Sequence, residues 1–134
     1  MKKLAFILVA IMLLGSVSCD NSSDDPPTPT PNYTIKYSVV STDSVNMDTI
    51  KCMNNDGSYI YVLNEDHFDL SFVQPSTNYH GDMYVSGTVE NGSCTYSLTI
   101  LDEDGGIVSI KDDGTSATSS TSFKWWAEFK HSEN

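Results

Sequence analysis

The chain has 134 residues, enough for one modest core, and a formal net charge of −11, with 18 acidic residues against seven lysines and no arginine. Such an acidic balance argues against nucleic-acid binding, which needs a basic footprint, and against direct adhesion to anionic lipid headgroups. Without arginine, the usual bidentate clamp for phosphate or carboxylate is also missing.

The first element in chain order is an export leader over residues 1–18. Lys2 and Lys3 precede an uninterrupted apolar run from Leu4 to Leu14. That run is too short for a comfortable transmembrane helix and has the length of a signal-peptide core. The small residues of Gly15-Ser16-Val17-Ser18 then lead into Cys19. Cleavage there would remove two lysines and leave five against 18 acids, a net charge of −13.

This layout resembles a bacterial lipoprotein signal. The resemblance implies that Cys19 is diacylated and becomes the mature N-terminus, with the membrane as its partner. Two acyl chains give stable anchoring where one would be marginal. A spacer over residues 19–32 follows, Asp20-Asn21-Ser22-Ser23-Asp24-Asp25-Pro26-Pro27-Thr28-Pro29-Thr30-Pro31, which has almost nothing to bury and reads as a disordered tether. Its prolines favour extended polyproline II, with a reach on the order of 35 to 40 Å. Ser23-Asp24-Asp25 is similar to the surface-export signals of Bacteroidetes-type lipoproteins. Asp20, directly behind the cysteine, instead resembles an inner-membrane retention signal of enterobacterial lipoproteins. Of these two, the outer membrane with exposure at the cell surface is the expected location.

From Tyr33 to His131 the chain shows short β-rich runs between turn signals and no helical period. Strands are expected at residues 33–39, 47–53, 58–63 and 68–73, with a loop from Pro75 to Gly81. Further strands are expected at 83–90, 93–101, 107–111 and 121–129. Asn91-Gly92 is a strong two-residue hairpin signal, because both residues tolerate positive φ. Asp102-Glu103-Asp104-Gly105-Gly106 reads as a longer hairpin loop, and Asp112-Asp113-Gly114 as a strand end. Alternation places Cys94, Tyr96, Leu98 and Ile100 on one core face, Val85 and Val89 on another, and Phe123, Trp125, Ala127 and Phe129 on a third. Seven to eight such strands predict an all-β fold, a small antiparallel immunoglobulin-like β-sandwich over residues 33–131. A small barrel is the alternative.

The domain also resembles the small β-sandwich of the MmpS family and its lipoprotein relatives. The likeness rests on the opening strand Tyr33-Thr34-Ile35-Lys36-Tyr37-Ser38-Val39, on Cys94-Thr95-Tyr96-Ser97-Leu98-Thr99-Ile100, and on the strand Ile107 to Ile110. It implies a membrane-tethered accessory subunit of an export assembly.

Three cysteines are an odd number for an exported chain. Acylation of Cys19 would leave Cys52 and Cys94, either a disulfide suited to an oxidising compartment or two buried thiols. Asp43-Ser44-Val45 and Asp48-Thr49-Ile50 resemble Bacteroidetes-type O-glycosylation acceptors, which makes Ser44 and Thr49 candidate glycan sites. Trp126 alternates against the core-facing Trp125 and shares its face with Lys124 and Glu128. An outward Trp can stack on a sugar ring or anchor a protein partner.

His67-Phe68-Asp69 and His80-Gly81-Asp82 each put a His and an Asp on one side of a strand. The acidic hairpin tip at 102–106 fails the EF-hand pattern, because Ile107 sits where the turning glycine belongs. No metal, cofactor or catalytic constellation is expected, and the chain does not read as an enzyme. The expected function is binding: a lipid-anchored surface module for a glycan or protein. The alternative is a periplasm-facing accessory or structural subunit of an envelope or transport assembly.

Overall fold

The structure, a computed structural model, describes residues 28–42 and 44–132. The leader, Cys19 and the tether up to residue 27 lie outside the described residues. Residues 28–31 are exposed and lead into the first strand.

Eight strands follow: β1 (Asn32–Ser41), β2 (Val45–Met53), β3 (Tyr59–Val62), β4 (His67–Pro75), β5 (Asn78–Val89), β6 (Gly92–Leu101), β7 (Ile107–Ala117) and β8 (Thr121–Ser132). They form two four-stranded antiparallel sheets, β4-β1-β6-β7 and β3-β2-β5-β8. The two sheets pack as a β-sandwich, and the described residues contain no helix. The architecture is the small antiparallel β-sandwich expected from the sequence. The threading differs from that of antibody domains: five of the seven connections cross between sheets, and only β2–β3 and β6–β7 are hairpins. This neighbour order is that of a double-Greek-key jelly roll, circularly permuted so that β2 runs directly into β3.

The core lies between the sheets and follows the alternation of the strands. Ile35, Tyr37, Val39, Tyr96, Leu98 and Ile100 are buried from one sheet, and Met47, Ile50, Met83, Val85, Val89 and Ala127 from the other. Each such large side chain contributes about 1.5–3 kcal/mol by leaving water. Tyr96 spans the layers, with its ring centroid 5.7 Å from that of Phe123 and 4.8 Å from that of Trp125. The three expected core faces are therefore present as read.

Three local expectations are corrected. Asn91-Gly92 does not make a paired hairpin, since β5 lies in one sheet and β6 in the other. The turn is tied instead to the β1–β2 turn. Glu90 N donates to Ser44 O at 3.0 Å, Ser93 N to Thr42 Oγ1 at 3.1 Å and Thr42 N to Ser93 O at 3.0 Å. A Cβ at position 92 would collide with Thr42 Oγ1, so glycine is needed there for close approach. The loop expected over Pro75–Gly81 shrinks to two residues, because β5 begins at Asn78 and pairs with the far end of β8.

Asp112-Asp113-Gly114 does not end its strand; β7 runs on to Ala117 against β6. As an edge strand, β7 exposes its charged side chains to water without breaking the ladder. Lys111 points toward the layer interface, where Nζ donates to Glu128 O at 2.6 Å and lies 4.9 Å from the Phe129 ring centroid. An inward-pointing charge of this kind blunts an exposed edge against further strand pairing.

Candidate functional site

The outward side of sheet β3-β2-β5-β8 gathers the residues with the most chemistry to offer. Strand register aligns Tyr61 with Lys51, Lys51 with Tyr84, and Tyr84 with Trp126, giving one row across all four strands. In each strand the neighbours of these residues, such as Ile60, Ile50, Val85 and Ala127, face the core. Period-two alternation therefore compels the row to face solvent. Trp126 is 60% exposed and Tyr61 62%.

Asp82 organises this face. Its Oδ1 accepts from Trp126 Nε1 at 2.7 Å, and its Oδ2 accepts from the Tyr59 hydroxyl at 2.6 Å. One carboxylate thereby fixes two aromatic side chains on different strands. The bond to Asp82 holds the Tyr59 phenol protonated and pushes its pKa up to about 12. Lys51 Nζ lies 3.9 Å from the Tyr59 ring centroid and 5.8 Å from that of Tyr61, a cation–π contact supplied from within the chain. At the end of the face, His80 Nε2 is 2.9 Å from Glu128 Oε1.

The support comes from both layers. Fully buried Tyr37, on β1, reaches across the sandwich, and its hydroxyl accepts from the Asp82 backbone N–H at 3.3 Å. Burial raises the Tyr37 pKa well above the ordinary tyrosine range, so this hydroxyl stays neutral. Gly81 opens the space: a Cβ there would lie 2.9 Å from Ile35 Cγ2 and 3.1 Å from Leu98 Cδ1. On the other flank, Gly57 takes φ 81° in the β2–β3 turn. Asp56 Oδ1 accepts from Ser58 Oγ at 2.6 Å and Ser58 N at 2.9 Å, which holds its carboxyl below the usual range. That turn delivers Tyr59 to Asp82.

Other expected site residues fall elsewhere. Cys52 and Cys94 are free and buried, the second of the two alternatives that the sequence left open. They belong to different sheets and to opposite ends of the sandwich. Cys94 Sγ is 3.8 Å from Met47 Sδ, whereas Cys52 lies five residues further along β2, on the order of 15 Å away at strand rise. Burial pushes each thiol up to about 11, so both behave as small apolar groups.

Ser44 is exposed at the β1–β2 turn. Thr49 is half-buried on β2, next to a bulge and opposite Ser86. Asp43, which precedes Ser44, lies outside the described residues, as does Cys19. His67 pairs with Asp69 at 2.7 Å on β4, in the sheet opposite His80, so the two His-x-Asp pairs do not converge. Among the described residues no group of three or more His, Cys, Asp or Glu is placed to hold a metal. The 102–106 loop is a hairpin tip closed on itself, with Asp102 Oδ1 accepting from Asp104 N at 3.0 Å and Gly106 N at 2.6 Å.

Of this site, sequence reasoning named Trp126 with its same-face neighbours Lys124 and Glu128, and His80 with Asp82 as a pair on one side of a strand, though not as partners of Trp126. It passed over Tyr59, Tyr61, Tyr84 and Lys51, although the alternation of Tyr59-Ile60-Tyr61-Val62 carried the signal for two of them. Known protein-family models and curated proteins give no match to this chain.

Proposed function

We propose that this chain is a lipid-anchored envelope protein whose sandwich acts as a binding module at the cell surface, and that the outward side of β3-β2-β5-β8 is its binding surface. The observation that carries the reading is the Asp82 constellation, in which one carboxylate holds Trp126 and Tyr59 in place while the Trp126 ring stays mostly open to solvent. Side chains fixed before a partner arrives lose little freedom on binding, and aromatic anchors dominate binding energy. In this reading, acylated Cys19 and the acidic, proline-rich tether carry the module away from the outer membrane, and glycans on Ser44 or Thr49 would decorate it.

A second reading is a periplasm-facing accessory subunit, as the MmpS likeness implies. The exposed apolar side chains of edge strand β7, Ile107, Val108 and Ile110, favour it as a site for a protein neighbour.

Protease shaving of intact native cells, with a periplasmic marker as control, separates the two. The surface reading expects loss of the domain while the marker survives. Protection in intact cells, with digestion after lysis, would overturn it and support the accessory subunit.

A further inference from the structure

We infer that the outward face of β3-β2-β5-β8 binds a neutral carbohydrate chain, stacked on Trp126 and Tyr61. The inference rests on the reading of this face as the binding surface and adds the ligand's chemical class.

Trp126 and Tyr61 sit at the two edges of a sheet row, three strand spacings apart, or about 14 Å. This is an open platform rather than a pocket, suited to a ligand that lies extended across the strands. Aromatic faces carry negative charge density and attract the polarised C–H groups on the flat side of a pyranose ring.

The chain as a whole carries −11, yet on this face Lys51, Lys124 and Lys130 stand against Asp82, Glu128 and, at the β2 bulge, exposed Asp48. The strands carry three of each sign, and Asp56 in the flanking β2–β3 turn adds one more carboxylate, so the platform is much nearer balance than the rest of this acidic molecule. A polyanion is repelled by the molecule as a whole and meets no basic patch here, and a polycation meets lysines interspersed among the carboxylates rather than a purely acidic surface. A quaternary or methylated ammonium, the other common guest of Tyr and Trp clusters, finds the ring of Tyr59 already occupied by Lys51 Nζ at 3.9 Å.

Each Asp82 oxygen takes one bond from the protein and keeps a second lone pair. Ligand hydroxyls can donate to Asp82 and Glu128 and accept from the Lys51 ammonium and the phenols of Tyr61 and Tyr84. Alternating rings and mixed donors and acceptors at strand spacing match a polyol with apolar faces better than they match an apolar peptide.

The test uses the full-length protein purified from its host in a polyoxyethylene detergent, whose headgroup carries no sugar. Binding is measured on a broad array of neutral glycans, with heparin and polygalacturonate as anionic comparisons. Hits are titrated by calorimetry and tryptophan fluorescence. The inference expects neutral ligands to bind and anionic ones not to. Trp126→Ala and Tyr61→Ala should each weaken binding roughly tenfold while leaving the melting temperature unchanged. Trp126→Phe, which keeps a ring and loses the bond to Asp82, should fall in between.

If no neutral glycan binds but a protein partner is captured in a Trp126-dependent way, the carbohydrate inference fails and the binding surface stands. Trp126-dependent binding of only the anionic polymers would have the same meaning. Neutral glycan binding that neither variant affects would instead remove this face as the site.

Discussion

The proton of Tyr59 is held above the ordinary tyrosine range because its hydroxyl donates to a carboxylate, and removing it would set two negative charges 2.6 Å apart. The sign of the pH effect follows. The folded pKa, about 12, lies above the ordinary value of 10.0, so the stabilisation is fully present below pH 10 and is lost as pH rises toward 12. Tyrosine resonances labelled at Cζ should show Tyr59 titrating near 12, and Asp82→Ala should bring it down toward 10. An unshifted Tyr59 in the parent protein would mean that the Asp82 bond does not persist in solution. Asp82→Ala should also free the Trp126 indole, which makes this carboxylate the residue on which the geometry of the face depends.

At the scale of the element, β5 bears on both core and site. Its outward residues include Asp82 and Tyr84, and its inward residues include Met83, Val85 and Gly87. A Cβ at position 87 would lie 2.6 Å from the backbone oxygen of Asn46 and 3.0 Å from the Phe123 ring. Because a backbone atom cannot rotate away, Gly87→Ala is expected to destabilise by about 1–3 kcal/mol, measured as a lower urea midpoint. An unchanged midpoint would show that β2 and β5 are not packed at this distance.

The strands themselves were legible because alternation and β-branched or aromatic runs are local. The turn at Asn91-Gly92 was misread for the same reason: its tight-turn chemistry is local, whereas the choice between pairing and crossing to the other sheet is made by the β1–β2 turn some 50 residues earlier. Asp112-Asp113-Gly114 carried strand-breaking chemistry that an edge position tolerates. Trp126 announced itself by alternating against Trp125. The row it joins could not be read, because its members come from four strands and only register aligns them. The free cysteines were undecidable from spacing, since each sits in a strand and only the topology places them at opposite ends.

For the whole molecule, the two outer faces differ. On the face of β4-β1-β6-β7 the outward positions of β1 and β6 are mainly Ser, Thr and Lys, such as Lys36, Ser38, Thr95 and Ser97, without an organised aromatic row. The opposite face holds the fixed rings, three of the lysines and the Asp82 network. A domain with faces this different is expected to meet its partner with the face of β3-β2-β5-β8.

The most direct measurement places a photo-crosslinking amino acid at Tyr61 in intact native cells, with the same group at Ser71 on the opposite face as the comparison. The proposed surface predicts adducts from position 61 that are lost when Trp126→Ala is added, and few or none from position 71. Adducts from position 71 alone, or adducts from position 61 that persist without Trp126, would contradict it.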